Sequence, residues 1–389
     1  MTENTIRIED LELKFYTYEG VVQALDKVNL ELKKGEILGL VGETGCGKSV
    51  TSLSILNLVP TPGRIEGGHI VFYGGEKPVD LLQQKESFLR GVRGKDIAMI
   101  FQEPRAYLNP VYTVKDQIGE VLMLHRKQEI VQMALAEVEA KIENKTKTKR
   151  TKPGFLLDYE RKTLQKMLKN PNALSPKMIS RVPLLNRYKR RIKNALREEV
   201  VRILRDMELP DPERIADMYP YELSGGMAQR VVIAMALSCN PIMLIADEPT
   251  TNLDVTIQFQ ILNLIRKLQQ KFGSTILYIT HDLGVVAELS DRVAVMYAGV
   301  VSEVAEVREL FKNPLHPYTQ ALLESIPRPG KEFKSIEGTV PSLINPPSGC
   351  RFRDRCAYAM DICVTTKPQY IEAKKEHFVS CHLYPGGSK

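Results

Sequence analysis

Residues 42–49 constrain this chain more than any other stretch. Gly42-Glu43-Thr44-Gly45-Cys46-Gly47-Lys48-Ser49, followed by Val50, matches G-x-x-x-x-G-K-[ST] at every fixed position. The context also fits. The continuous apolar run Ile37-Leu38-Gly39-Leu40-Val41 reads as a strand covered on both faces, and helical spacing follows over 49–58. Glycines let backbone N–H groups converge on phosphate oxygens, and a helix N-terminus adds the positive end of its dipole. Lys48 is then expected to neutralise β- and γ-phosphate charge, and the Ser49 hydroxyl to ligate Mg²⁺.

A second pattern supports the first. Ile242-Met243-Leu244-Ile245-Ala246 reads as a buried strand that delivers Asp247 and Glu248 to the carboxyl edge of a sheet, where α/β ligands bind. Asp247 suits a Mg²⁺ ligand, and Glu248 suits a general base acting on water. Cys46 reads as a packing residue within the phosphate loop.

Further strands are predicted over 6–15, 28–32, 97–101, 275–280 and 292–297, with helices near 114–124, 190–208 and 255–272. Strands alternating with helices specify an α/β core. Residues 141–197 hold 18 Lys and Arg against three acids, although the 389-residue chain carries only +7. This basic block, with Pro153, Pro171, Pro176 and Pro183, is expected to be an insertion of short helices and loops over about 125–195. Without an aromatic stacking pattern it gives no ground for specific nucleic-acid binding. Contact with anionic lipid head groups or with the loops of a partner protein is the functional alternative to a solvated expansion. No run of 18 apolar residues exists, and Met1-Thr2-Glu3-Asn4 lacks a basic start with an apolar stretch behind it. A cytosolic chain is expected.

These motifs, with Leu223-Ser224-Gly225-Gly226-Met227 ahead of Ala228-Gln229-Arg230, resemble the ATP-binding-cassette family. The family signature is usually L-S-G-G-Q, so Met227 departs from it. The resemblance implies an α/β nucleotide-binding domain: a P-loop core sheet, an antiparallel β subdomain, and a helical subdomain over about 103–240. It implies a composite site in which Ser224, Gly225, Gly226 and Met227 meet the partner subunit's ATP. Gln102 matches the loop that senses Mg²⁺ and the transport partner, Asn252-Leu253-Asp254 matches the dimer-interface loop, and His281 matches the switch histidine at the γ-phosphate. Mg²⁺ would be held through Ser49, Gln102 and Asp247. An aromatic on adenine is expected before Gly20, with Tyr18 preferred to Tyr16.

His316-Pro317-Tyr318-Thr319 with Pro327, and the tail Gly349-Cys350-Arg351-Phe352 with Arg355-Cys356, Cys363, Pro368 and Cys381-His382, narrow the resemblance. They are similar to ATPase subunits of oligopeptide/dipeptide importers, and the Met-containing signature is similar to the D-type subunit. This implies a cassette domain over 1–326 and a loop-rich extension over 327–389. The implied partners are a second ATPase, either a paralogue or a copy, and two integral-membrane permeases. An extracytoplasmic solute-binding protein would take part indirectly, and the chain would lie at the cytoplasmic face of the membrane. Relatives with the same cassette carry oligosaccharides, so the solute stays open. A soluble cassette ATPase of DNA repair or translation is the rival, but there is one phosphate loop and no sustained heptad pattern.

Cys350, Cys356, Cys363 and Cys381 are spaced C-x₅-C-x₆-C-x₁₇-C, without the short knuckle usual for structural zinc. They are expected to ligate a [4Fe–4S] cluster, with Zn²⁺ or unligated thiols as alternatives.

Overall fold

The computed structural model describes residues 3–149, 154–170, 187–251, 253–327 and 335–384. The chain divides into two compact units, Met1–Gln102 with Asn240–Lys389, and Glu103–Cys239.

The first unit contains two sheets. β1 (Asn4–Thr17), β2 (Gly20–Lys33), β4 (Gly63–Phe72) and β5 (Val79–Asp80) form an antiparallel sheet in the order β2-β1-β4-β5, and β3 (Ile37–Val41) belongs to the other sheet. Along β1 the apolar phase changes from Ile6 and Ile8 to Leu11 and Leu13. A register shift between Ile8 and Leu11, with Asp10 at φ 44°, turns both sets inward.

The second sheet adds β6 (Ile97–Ile100), β7 (Met243–Asp247), β8 (Thr275–Ile279), β9 (Arg292–Tyr297), β10 (Val300–Glu306), β11 (Tyr370–Lys374) and β12 (His377–Ser380). Its order is β11-β12-β10-β9-β3-β8-β7-β6. From β9 to β6 the pairs are parallel, and β3, β7 and β8 are buried along their whole length. Each buried Ile, Leu or Val side chain contributes about 1.5–3 kcal/mol, so the central strands hold a rigid carboxyl edge for the loops that follow them.

Within the largely loop and turn structure of the tail there is a regular element that the sequence reading did not place. Tyr370–Lys374 and His377–Ser380 form a hairpin that pairs with β10, with Glu303 opposite Val379. Val379 is fully buried and Tyr370 stacks on Phe378 at 5.4 Å, which is enough apolar surface to dock a short hairpin on an existing sheet. The tail therefore belongs to the same unit as the phosphate loop. Residues 328–334, including Pro329 and Gly330 of the expected linker, lie outside the described residues.

The second unit is helical, with helices Val114–His125, Lys127–Lys149, Phe155–Lys169, Arg187–Asp206, Pro212–Asp217 and Gly225–Leu237. The basic insertion thus contains longer helices than expected. Ile130, Ala134 and Val138 repeat at helical spacing and pack with Leu157, Leu164, Tyr188, Ile192 and Ala195 in one core. Glu160, whose side chain is 1% exposed, pairs with Arg191 at 3.0 Å. Residues 150–153 and 171–186, with Pro153, Pro171, Pro176 and Pro183, lie outside the described residues. Among the described residues no helix is long and apolar enough to cross a membrane.

Candidate functional site

The loop after β3 turns sharply into helix Lys48–Ile55. Two of its glycines are required by space and conformation. A Cβ at Gly42 would lie 2.1 Å from the Met296 carbonyl oxygen, and Gly47 holds φ +107° against Leu25. Lys48 is buried, and its Nζ donates to the carbonyls of Gly42 at 2.7 Å and Glu43 at 3.1 Å. The ammonium is thereby held across the mouth of the loop. Cys46 is buried, and burial pushes its thiol above the ordinary value, which fits a packing residue. Val50 packs against the core of this unit.

At the end of β7 the Asp247 carboxylate accepts a hydrogen bond from the Ser49 hydroxyl. Burial pushes the Asp247 carboxyl above its ordinary value; the Ser49 bond and Lys48 oppose this, and Glu248 adds to it. Lys48, Ser49 and Asp247 are thus gathered at one edge of the sheet, as the sequence predicts. Metal binding would favour the charged carboxylate that burial disfavours.

Glu248 adopts φ 45°, a conformation uncommon for a residue with a side chain, and its N–H donates to Ile279 O at 2.9 Å. Its carboxylate meets His281 Nδ1 at 3.0 Å, Gln102 Nε2 at 3.3 Å and Thr251 Oγ1 at 3.0 Å. Three sequence-predicted residues therefore converge: Gln102 from beyond β6, Glu248 from beyond β7 and His281 from beyond β8. Thr251 was not predicted. Its position three residues after Glu248, on the turn that follows β7, was the available signal. The cluster can orient a water beside a phosphate: an acceptor carboxylate is steered by two donors, and an imidazole can give or take a proton.

Tyr18 stands fully exposed between β1 and β2, whereas the Tyr16 hydroxyl donates to Glu66 at 2.9 Å and Arg64 lies 5.4 Å over its ring. Asp254 caps helix Val255–Phe272 by accepting from Ile257 N at 2.9 Å; Asn252 lies outside the described residues. In the helical unit, Ser224 caps helix Gly225–Leu237 by accepting from Met227 N at 3.3 Å. Gly225, Gly226 and Met227 form the first turn, and the Ser224 hydroxyl proton remains available for donation.

Sequence reasoning missed the groups that hold the phosphate loop from outside. The Glu43 carboxylate takes two hydrogen bonds from Arg355, at 2.7 and 3.1 Å, and the Glu43 N–H donates to the Tyr318 hydroxyl at 3.0 Å. His316 caps helix Pro317–Glu324, its Nδ1 accepting from Tyr318 N at 3.0 Å. The motifs around His316 and Arg355 were visible, but not their common target.

The four tail thiols are not arranged around a metal position in this structure. They are close enough to influence one another electrostatically, and the Cys350 N–H donates to Cys363 O at 2.8 Å. All are free. Among the described residues, however, no group of three or more His, Cys, Asp or Glu side chains is arranged to hold a metal ion. Burial pushes the Cys350 thiol up to about 11. Cys350, Cys356, Cys363 and Cys381 do not form the ligand set expected for [4Fe–4S] or Zn²⁺. Phe352 is buried, and Cys350 and Cys356 pack against the cluster that contains it.

Comparison with known proteins agrees with this geometry. The ABC transporter family matches residues 25–251, and the oligopeptide/dipeptide transporter C-terminal region matches residues 302–363. The chain is 40% identical to the dipeptide transport ATP-binding protein DppD of Bacillus subtilis, over 98% of this chain and 95% of that one. It is 41% identical to the oligopeptide transport ATP-binding protein OppD of the same organism, over 99% and 90%. A solved dimeric ATP-binding cassette bound to ADP and Pi shares the fold, with TM-score 0.51 and 23% identity over 78% of this chain and 99% of that one.

Proposed function

The chain belongs to the ATP-binding proteins of ABC transporters, and from that premise we propose that it powers import of dipeptides and oligopeptides through partner membrane permeases. It is an ATPase. Near-full-length similarity to peptide transport ATP-binding proteins, together with the matching C-terminal region, supports peptides over oligosaccharides. The same observation disfavours a repair or translation ATPase.

Lys48 and the loop N–H groups bind the phosphates of ATP in this reading, and Tyr18, exposed at its turn, stacks on adenine. Ser49, Asp247 and Gln102 fit a hard, oxygen-preferring Mg²⁺ through a hydroxyl, a carboxylate and an amide, and the cation would neutralise charge developing on the phosphates. Glu248 takes the proton of the attacking water, while His281 and Gln102 orient it. The observation that carries this reading is the convergence of Gln102 and His281 on one Glu248 carboxylate.

Ser224, Gly225, Gly226 and Met227 complete the site of a second subunit, with Asp254 at the junction, so two ATPases work as a pair at the cytoplasmic face of the membrane. Glu248→Gln should keep ATP binding and accumulate an ATP-dependent dimer, with a supplied paralogue if not with itself, readable by light scattering. A variant that hydrolyses ATP at the wild-type rate contradicts the base assignment. The tail thiols have a separate test. Iron, zinc and sulfide assays on anaerobically purified protein decide it: stoichiometric iron and sulfide would establish the [4Fe–4S] cluster, one zinc per chain would establish Zn²⁺, and the absence of both would leave unligated thiols.

A further inference from the structure

The phosphate loop carries an acidic residue at its second position, where a negative charge opposes the binding of a polyanion. Glu43 has three polar groups, and all three are engaged. Its carbonyl accepts from Lys48 Nζ, its N–H donates to the Tyr318 hydroxyl, and its carboxylate is gripped by the Arg355 fork. The Arg355 side chain is 4% exposed and that of Glu43 28%. Arg355 also donates to the Tyr297 hydroxyl at 3.2 Å and to Glu337 O at 2.9 Å, and its guanidinium lies 5.7 Å over the Tyr297 ring. Tyr297, Tyr318 and Phe352 pack ring on ring within 4.6–5.4 Å, which fixes the platform beneath it. A planar guanidinium bonded at two points to one carboxylate cannot be replaced by an ammonium without loss of geometry.

We propose that Arg355 is a positioning residue for ATP: it cancels the Glu43 charge and holds the Glu43 carbonyl that seats Lys48, so the C-terminal segment is a working part of the nucleotide site. The inference rests on reading residues 42–49 as the ATP phosphate loop. It differs from a merely structural role in one respect. The effect of losing Arg355 must depend on Glu43 being charged, because an unpaired Glu43 is what repels the nucleotide.

The test is a double-mutant cycle on the full chain, with Mg-ATP titrated calorimetrically and hydrolysis followed in parallel. Arg355→Ala should raise Kd and KM about tenfold, with kcat within about twofold of wild type. In a Glu43→Gln background the same substitution should change Kd by less than about twofold. Arg355→Lys should fall between wild type and Arg355→Ala. If Arg355→Ala does not fold, Arg355→Lys carries the cycle, with a smaller rise in Kd that Glu43→Gln again removes. Wild-type Kd in both Arg355 variants, or an equal loss with and without the Glu43 charge, overturns the inference. Lys48→Ala serves as the control on the underlying reading. If it binds ATP as tightly as wild type, the phosphate-loop assignment has failed, and the role of Arg355 does not enter.

Discussion

At Glu248 two donors and an imidazole meet one carboxylate, in a backbone conformation that a side chain ordinarily avoids, and the main-chain bond to Ile279 O helps hold it there. Replacing Glu248 by Gln keeps the shape and removes the proposed base. Steady-state hydrolysis should fall about 10²–10⁴-fold with ATP affinity retained. His316 offers a second residue-scale test. Burial holds its pKa down to about 4 from the ordinary 6.5, and that outweighs the nearby Glu303 carboxylate. The folded state therefore binds fewer protons than the unfolded state between these values, so stability is present above about pH 6.5 and is lost as pH falls toward 4. The loss should reach about 3 kcal/mol. Urea midpoints of wild type and His316→Asn across that range should converge at the acid end. Parallel pH profiles would show that His316 is not the titrating group. Asp247 and Glu248 were legible because they close a buried apolar strand, and Gln102 and His281 because the family resemblance marks them. The Arg355–Glu43 pair was not, since its partners are 312 residues apart and no periodicity links them.

Among the elements, the central strands were read almost to the residue, because parallel strands buried on both faces appear as unbroken apolar runs. The β11–β12 hairpin was not. Its inward residues are few, and its stability comes from β10, which no local pattern can reveal. Cutting the chain after residue 326 should therefore do more than remove an appendage. It would leave the Glu303 and Val304 edge unpaired and Asp26, 4% exposed, without Arg351 at 3.0 Å. A substantially lower melting temperature is expected, as is weakened nucleotide binding; a truncated protein as stable and active as the full chain would contradict the shared-unit architecture. In the helical unit the basic composition concealed an apolar stripe. Leu164→Ala, at a fully buried position in that core, should destabilise the unit by about 2–5 kcal/mol. An unchanged denaturant midpoint would instead favour the solvated expansion that charge alone suggests.

For the molecule as a whole, one sheet edge gathers the loop 42–49, Asp247, Glu248 and His281, while the C-terminal segment returns to brace the loop from outside. Nothing in either arrangement selects a solute; the peptide reading rests on similarity to peptide transport ATP-binding proteins. The most direct measurement is therefore ATP hydrolysis by the full chain assembled with its permeases and paired ATPase in lipid discs, titrated with binding protein carrying a peptide or an oligosaccharide. Peptide-loaded binding protein should stimulate hydrolysis, oligosaccharide should not, and Glu248→Gln should abolish the response. Hydrolysis that ignores peptide, or that responds to oligosaccharide alone, would contradict a peptide importer.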